Sequence, residues 1–297
     1  MSDRPAIGFI GLGLMGAAMV ERLQSLSYPV TVIAHRNRVP IEAAVARGAR
    51  EARRYDDLAT ASDIVMLCVD NSASVEAAMR GEAGVIAGLR PDTLVIDFGT
   101  SLPSSTHALA AEVHAVGGRF MDAPLGRTPA HAVDGRLNIM AAGTAADFED
   151  ALPVFRDLGE NVFHVGPLGS GHTLKLINNF VGMTTAVTVA EAFAMADRAG
   201  IPRETLYDVM AAGPLRSGMM DMVKGYALDG IPDRLAFTIA NGTKDITYYT
   251  RMADDLAAPS LVAPGVKQAL GIARAGGYGG RMMAELTDFF AGLFRKS

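Results

Sequence analysis

The glycines at 11, 13 and 16 constrain this chain more than any other feature. Gly11-Leu12-Gly13-Leu14-Met15-Gly16 follows directly on the strand-like run Ala6-Ile7-Gly8-Phe9-Ile10 and opens a helix predicted over residues 17–26. A lone G-x-G-x-x-G is common, but between a strand and a helix it specifies a βαβ unit that receives a dinucleotide. The first glycine permits the tight turn, the second lets backbone N–H groups approach a pyrophosphate, and the third lets the helix pack closely on the strand. The helix N-terminus then turns its partial positive charge toward the phosphates.

Beyond this unit, strand-like runs at 6–10, 30–33, 64–69, 94–97, 120–122, 137–142 and 162–165 alternate with helical segments, which implies parallel βαβ units. After Gly166-Pro167-Leu168-Gly169-Ser170-Gly171 the pattern becomes helical, with breaks at Gly200-Ile201-Pro202, Gly213-Pro214, Gly230-Ile231-Pro232 and Ala258-Pro259. Gly276-Gly277-Tyr278-Gly279-Gly280 reads as a loop. A chain of 297 residues exceeds the usual single core. The expected architecture is therefore α/β: a doubly wound Rossmann-type domain over 1–165 and an all-α domain over 166–297. The latter begins with a long interdomain helix, with a cleft between the domains.

Composition narrows the function. With 27 basic and 32 acidic side chains, a net charge of −5 and no basic run beyond pairs such as Arg53-Arg54, there is no footprint for nucleic acid. An anionic substrate must then be caught by local cations. The stretch 176–190 contains Asn178, Asn179 and several threonines and is expected to be a buried helix, not a membrane span. The polar first five residues do not form a secretory signal, and one cysteine, Cys68, fits a reducing, cytoplasmic setting. Cys68 reads as a small core residue, and the 16 methionines as core filling. The six histidines lack metal-ligand spacing with cysteines or carboxylates, so no metal site is expected.

The end of the second strand bears on cofactor choice. An NAD-specific fold usually places Asp or Glu there to hold the ribose 2′-hydroxyl, whereas this chain has Ala34-His35-Arg36-Asn37-Arg38 and no acid before Glu42. Arg36 and Arg38, with His35, offer guanidinium forks to a 2′-phosphate, so NADP is expected, with NAD as the alternative.

Lys175 is the single lysine or arginine between Arg156 and Arg198 and stands early in a largely apolar helical segment. Helical spacing aligns Lys175, Asn178, Asn179 and Gly182 as a polar stripe flanked by Leu174, Leu176, Ile177 and Val181. A lysine there can donate a proton to a carbonyl oxygen as hydride reaches carbon, and the amides can orient the substrate. A lysine snorkelling from a core helix is the bland alternative.

Together these motifs resemble the β-hydroxyacid dehydrogenases over almost the whole chain. The resemblance rests on Ile7-Gly8-Phe9-Ile10-Gly11-Leu12-Gly13-Leu14-Met15-Gly16, Asp97-Phe98-Gly99-Thr100-Ser101-Leu102-Pro103, Asp122-Ala123-Pro124-Leu125-Gly126-Arg127-Thr128, Lys175-Leu176-Ile177-Asn178-Asn179, and Lys244-Asp245 on a late helix. It implies that Lys175 is the general acid/base, that Asn178 and Asn179 contact substrate, and that Lys244 and Asp245 lie at the nicotinamide end of the cofactor. It also places Val69, Asp70 and Thr100 beside the cofactor, although Gly99 stands where the family has serine. Asp70 replaces a frequent proline. Pairing through the helical part, as a homodimer or homotetramer, is implied as well.

The family pattern D-A-P-V-S-G-G becomes Gly126-Arg127-Thr128 at its end, so a guanidinium enters the position that receives the substrate anion. This variant resembles the sulfolactaldehyde reductase branch. Arg127 can clamp sulfonate, phosphate or carboxylate, and so indicates an anion more firmly than it names one. Gly182, where that branch has serine, and the basic loop at 34–38 depart from the branch. The expectation is an NADP-dependent oxidoreductase interconverting a small anionic aldehyde and its primary alcohol. The alternatives are a 3-hydroxyisobutyrate-type dehydrogenase acting on a carboxylate, an imine reductase, which Lys175 argues against, and a non-catalytic NADPH-binding sensor.

Overall fold

Short runs of β-branched and large apolar residues form the inner strands of one sheet. The computed structural model describes residues 4–34 and 37–295. Its strands are β1 (Ile7–Ile10), β2 (Val30–Ile33), β3 (Arg50–Ala52), β4 (Ile64–Leu67), β5 (Leu94–Asp97), β6 (Arg119–Asp122), β7 (Leu125–Gly126), β8 (Leu137–Ala142) and β9 (Gly159–Gly166). Between and after them lie α1 (Leu14–Ser25), α2 (Val39–Ala46), α3 (Tyr55–Thr60), α4 (Ser72–Met79), α5 (Val85–Gly88), α6 (Pro103–Ala115), α7 (Pro129–Val133) and α8 (Ala145–Leu158). Every residue of β1, β2, β4 and β5 is buried, as expected for strands covered on both faces.

Alternation along the strands sorts these residues into two cores. Ile7, Phe9, Val30, Val32, Ile64, Met66, Leu94 and Ile96 face Met19, Val20 and Leu23 of α1 and Phe148 and Phe155 of α8. On the other face, Ile10, Ile33, Val65, Leu67 and Val95 pack with Leu58, Val75, Met79, Leu109 and Val113 from α3, α4 and α6. Each such side chain contributes about 1.5–3 kcal/mol by leaving water.

The strand order is β3-β2-β1-β4-β5-β6-β8-β7, with β9 on β8. β1 pairs in parallel with both β2 and β4, so the chain reverses its winding beside β1 and brings the loops after β1 and β4 together. The expectation of parallel units throughout needs correction at one edge, because β8 runs antiparallel to β6 and β7. The reason is chain length: residues 127–136 separate β7 from β8, too few for a crossover to a parallel strand. β8 and β9 are parallel again, joined through α8.

The chain divides into two compact units, Met1–Lys175 and Leu176–Ser297. The division falls within α9 (Ser170–Ala199), a 30-residue helix. The second unit continues with α10 (Arg203–Ala211), α11 (Gly218–Ala227), α12 (Ile239–Asp255), α13 (Ala263–Ala273) and α14 (Leu286–Arg295). Its core joins Met183, Val187 and Phe193 to Met220, Val223, Ile239, Ile246, Leu270, Met283 and Phe290. The helix breaks fall at the predicted Gly and Pro positions, and Ser217 and Thr238 cap α11 and α12 by accepting from Met220 and Asn241 N–H. The glycine-rich segment at 276–280 is not simply a loop: Arg274–Tyr278 forms a π turn broken by Gly277 at φ +88°. No described helix is long and apolar enough to cross a membrane.

Two further expectations change. α9 is not buried all round: Leu174, Ile177 and Val181 are 40%, 42% and 57% exposed, while Leu176 is fully buried. Spacing aligns residues on a face but does not say whether that face is covered. Met195 and Met222 are likewise surface residues, so the methionines are not all core.

Candidate active site

The sheet presents the glycine loop at the C-terminal end of β1, and its three glycines sit in three different environments. Gly11 adopts φ +97°, and a Cβ there would stand 2.4 Å from the Cys68 carbonyl oxygen. At Gly16 an added Cβ would stand 2.0 Å from the Gly11 carbonyl oxygen, so the helix packs directly on the loop backbone. Gly13, by contrast, would meet nothing within 4 Å. It is the N-cap of α1, without a side-chain cap and without an acid in the first turn, and Leu14 beyond it is 85% exposed. An open glycine before an uncapped helix N-terminus is a cradle that a phosphate fits and a Cβ would fill.

Next to this loop, Val69 Cγ1 would touch a Cβ on Gly11, and Asn71 caps α4 by accepting the Ser74 N–H. Asp70 is exposed and Thr100 half-buried after β5. Gly99 lies where a Cβ would stand 2.9 Å from Asp97 Oδ1, and its N–H donates to that oxygen. Cys68 is half-buried, and desolvation, followed by the nearby Asp97 and Asp70 charges, pushes its thiol up to about 12. At pH 8 the thiol is then held in its protonated form. Iodoacetamide should leave the native protein unmodified by mass spectrometry while alkylating the denatured chain; rapid native alkylation would show a solvated thiol.

At the end of β2, His35 and Arg36 lie outside the described residues. Asn37 Oδ1 accepts the Val39 N–H. Arg38 makes a bidentate pair with Glu51 at 3.1 Å and reaches Glu42 at 3.4 Å, and the Glu51 hydrogen bonds first of all raise its pKa. Its guanidinium is exposed but already shared with two carboxylates.

Lys175 lies on α9, half-buried, one turn beyond the first residues of the helix. Asn178 is exposed and donates to Asn179 Oδ1 at 3.3 Å. Asn179 is buried, and its Nδ2 donates to Asp245 Oδ2 at 2.6 Å. Asp245, 2% exposed, also pairs with Lys244 at 3.1 Å. Asp245 is therefore an interior junction between α9 and α12 that takes one amide and one cation, not a surface ion pair.

Arg127 follows β7 with φ +76°, the left-handed region that glycine enters freely. The family pattern has glycine at this position, so the arginine keeps a glycine's backbone at a cost of about 1–2 kcal/mol. Its Nη1 donates to the Arg136 carbonyl at 2.7 Å and pairs with Glu160, which also lies 3.7 Å from Arg136 Nε. Arg127, then Arg136, hold the Glu160 carboxyl below its usual range. Gly126 packs against the Asn138 side chain, and Thr128 Oγ1 bonds His131 Nδ1 at 2.7 Å.

Sequence reasoning missed a buried cluster directly before Lys175. His172, Asp97 and Asp122 are each at most 1% exposed and meet at the N-terminus of α9. A histidine three residues before the lysine was the available signal, but its partners lie some 50 and 75 residues away and no local pattern links them. Among the described residues no three His, Cys, Asp or Glu side chains are placed so as to hold a metal ion.

Comparison with known proteins covers nearly the whole chain. Residues 6–166 match the family described as the NAD binding domain of 6-phosphogluconate dehydrogenase. Residues 169–289 match the NAD-binding domain of NADP-dependent 3-hydroxyisobutyrate dehydrogenase. The 3-sulfolactaldehyde reductase of Escherichia coli (strain K12) is 31% identical over 284 residues, 92% of each chain. The 2-(hydroxymethyl)glutarate dehydrogenase of Eubacterium barkeri is 32% identical over 235 residues, 75% of this chain and 77% of that one. Among solved structures, Mycobacterium tuberculosis 3-hydroxyisobutyrate dehydrogenase with L-serine superposes with a TM-score of 0.86 at 21% identity, covering 96% of this chain and 99% of that one. That last likeness establishes the fold.

Proposed function

The chain belongs to the β-hydroxyacid dehydrogenase family, NAD(P)-dependent dehydrogenases and reductases acting on CH–OH groups, and on that premise we propose that it interconverts a small anionic aldehyde and its primary alcohol. The bound nicotinamide supplies or accepts the hydride. Lys175 donates the proton to the carbonyl oxygen in reduction and removes it in oxidation. Asn178 orients the substrate, and Asn179, held by Asp245, accepts from the Asn178 amide and so orients it in turn. Lys244 and Asp245 serve the nicotinamide end of the cofactor, and the loop Gly11 to Gly16, with Val69, Asp70 and Thr100, serves the rest.

The anionic substrate rests on one observation: an arginine occupies a left-handed backbone position that glycine would fill without strain. Strain retained at a specific side chain points to a use for that side chain. Arg127 Nε and Nη2 remain for a sulfonate or carboxylate while Nη1 holds Glu160 and the Arg136 carbonyl. The 3-sulfolactaldehyde reductase likeness favours sulfonate, and the 2-(hydroxymethyl)glutarate dehydrogenase likeness favours carboxylate. NADP is supported by the absence of an acid from residues 34–38 and by Arg36 and Arg38, although Arg38 would have to share a 2′-phosphate with Glu51. The exposed Leu174, Ile177 and Val181 support burial of α9 against a second copy in a homodimer or homotetramer.

Initial rates with short aldehydes ending in sulfonate, carboxylate or phosphate, with NADPH and NADH side by side, test this reading. Arg127→Gly should keep its melting temperature, since glycine relieves the backbone, yet raise KM for the preferred anionic aldehyde by ~10- to 100-fold, the worth of a charge-assisted hydrogen bond. Equal rates with uncharged aldehydes, or an unchanged KM in the variant, would overturn the anionic assignment.

A further inference from the structure

At the C-terminal end of β6, Asp122 is fully buried and accepts two backbone N–H groups, from Gly169 and from His172, each at 2.7 Å. Those are donors of the first turn of α9 that no intrahelical carbonyl can satisfy, so Asp122 caps the helix from another element. The next turn carries Lys175. The helix start has no freedom to drift: a Cβ on Gly171 would stand 2.4 Å from the Met140 carbonyl oxygen and 2.8 Å from Asp122 Oδ2.

His172 locks the same turn from the other side. Thr106 Oγ1 and His172 Nδ1 share a hydrogen bond of 2.7 Å, and the same hydroxyl lies 3.1 Å from the Leu102 carbonyl oxygen. The imidazole thereby ties α9 to α6. Its Nε2, buried and without a hydrogen-bond partner among the described residues, stands 3.6 Å from Asp97 Oδ2. Asp97 is fixed in turn by the Gly99 N–H and the Ser101 hydroxyl. The ends of β5 and β6 are thus wired to the turn before the lysine.

We propose that Asp122 and His172 are positioning residues for Lys175, holding the first turn of α9 so that the ammonium group meets the carbonyl oxygen of the substrate. This rests on the reading of Lys175 as the general acid/base. The two residues touch neither substrate nor cofactor, and their whole effect on rate passes through the lysine.

The test measures kcat, KM for aldehyde and NADPH affinity for Asp122→Asn, His172→Leu and His172→Asn, each alone and with Lys175→Ala. Asn keeps one acceptor at 122, and at 172 its amide, donor and acceptor both, sets a hydrogen-bonding group where Nδ1 stands. Asp122→Asn and His172→Leu should lower kcat about 10- to 100-fold, as expected for a misplaced catalytic group, with NADPH affinity within about twofold. His172→Asn should recover most of the rate. Combined with Lys175→Ala, the same substitutions should change the residual rate less than about twofold, because groups acting as one unit are not additive.

Equal losses with and without the lysine would overturn the proposal, as would an unchanged kcat in Asp122→Asn and His172→Leu beside an inactive Lys175→Ala. A Lys175→Ala enzyme of normal turnover would instead defeat the acid/base reading itself, and this proposal with it. If Asp122→Asn does not fold, the two His172 variants decide by the same criteria.

Discussion

Lys175→Ala is expected to lower kcat for aldehyde reduction by ~10²- to 10⁴-fold, the usual contribution of a positioned general acid. NADPH affinity should stay within a few-fold, because the glycine loop lies on other elements of the chain. The lysine stands half-buried in the second turn of a helix whose start is clamped by buried carboxylate and imidazole groups. A side chain lost from such a site leaves the helix intact, since alanine is the best helix former and Leu176 next to it remains buried. Fluorescence titration with NADPH and steady-state kinetics on the same preparation separate the two effects. A variant that binds and turns over normally would mean that some other group protonates the alkoxide.

The glycine loop should give an equally large effect, divided between stability and binding according to position. Gly13→Ala is expected to fold with an unchanged melting temperature, since its Cβ enters open space, and to bind NADPH ~10- to 100-fold more weakly. The loss comes from the backbone N–H groups that can no longer close on a pyrophosphate. Gly16→Ala behaves differently, because its Cβ would overlap the Gly11 carbonyl oxygen at 2.0 Å and neither backbone segment can yield cheaply. Overpacking of that kind costs about 1–3 kcal/mol or more. In a unit of this size each kcal/mol lowers the melting temperature by roughly 2–4 °C. Calorimetry with and without NADPH distinguishes the two: a destabilised Gly13→Ala, or a Gly16→Ala of unchanged stability, would show that the loop is packed otherwise.

The parts of this molecule legible in its sequence are those in which local chemistry and tertiary role coincide. β1 is apolar because both of its faces are covered, and Gly11 and Gly16 follow it because the turn and the packing of α1 each demand one. The ends of α9, α10 and α11 are readable for a similar reason, Gly and Pro acting where they stand. β3 and β7 are not. β3 is a short outer strand in which Arg50 and Glu51 face solvent, and β7 has two residues whose strand character depends on β8 beside them.

At the site the same distinction holds. The spacing of Lys175, Asn178 and Asn179 places them on one stretch of helix, yet it cannot tell that Asn179 is turned inward to Asp245 while Leu174, Ile177 and Val181 face out. The left-handed backbone of Arg127 is invisible because arginine carries no local signal for it. Its pairing with Glu160, and the pairing of Arg38 with Glu51, join residues 33 and 13 positions apart. Such long-range electrostatics appear only once the sheet has brought the strands together.

Hydride transfer itself can be followed through a label carried by the cofactor. NADPH deuterated at either face of nicotinamide C4 is incubated with the preferred anionic aldehyde, and the product is examined by NMR. One labelled cofactor, and not the other, should yield a primary alcohol with a single deuterium on its carbinol carbon. An alcohol free of deuterium from both cofactors, or no consumption of aldehyde at all, would refute hydride transfer to an anionic aldehyde by this chain.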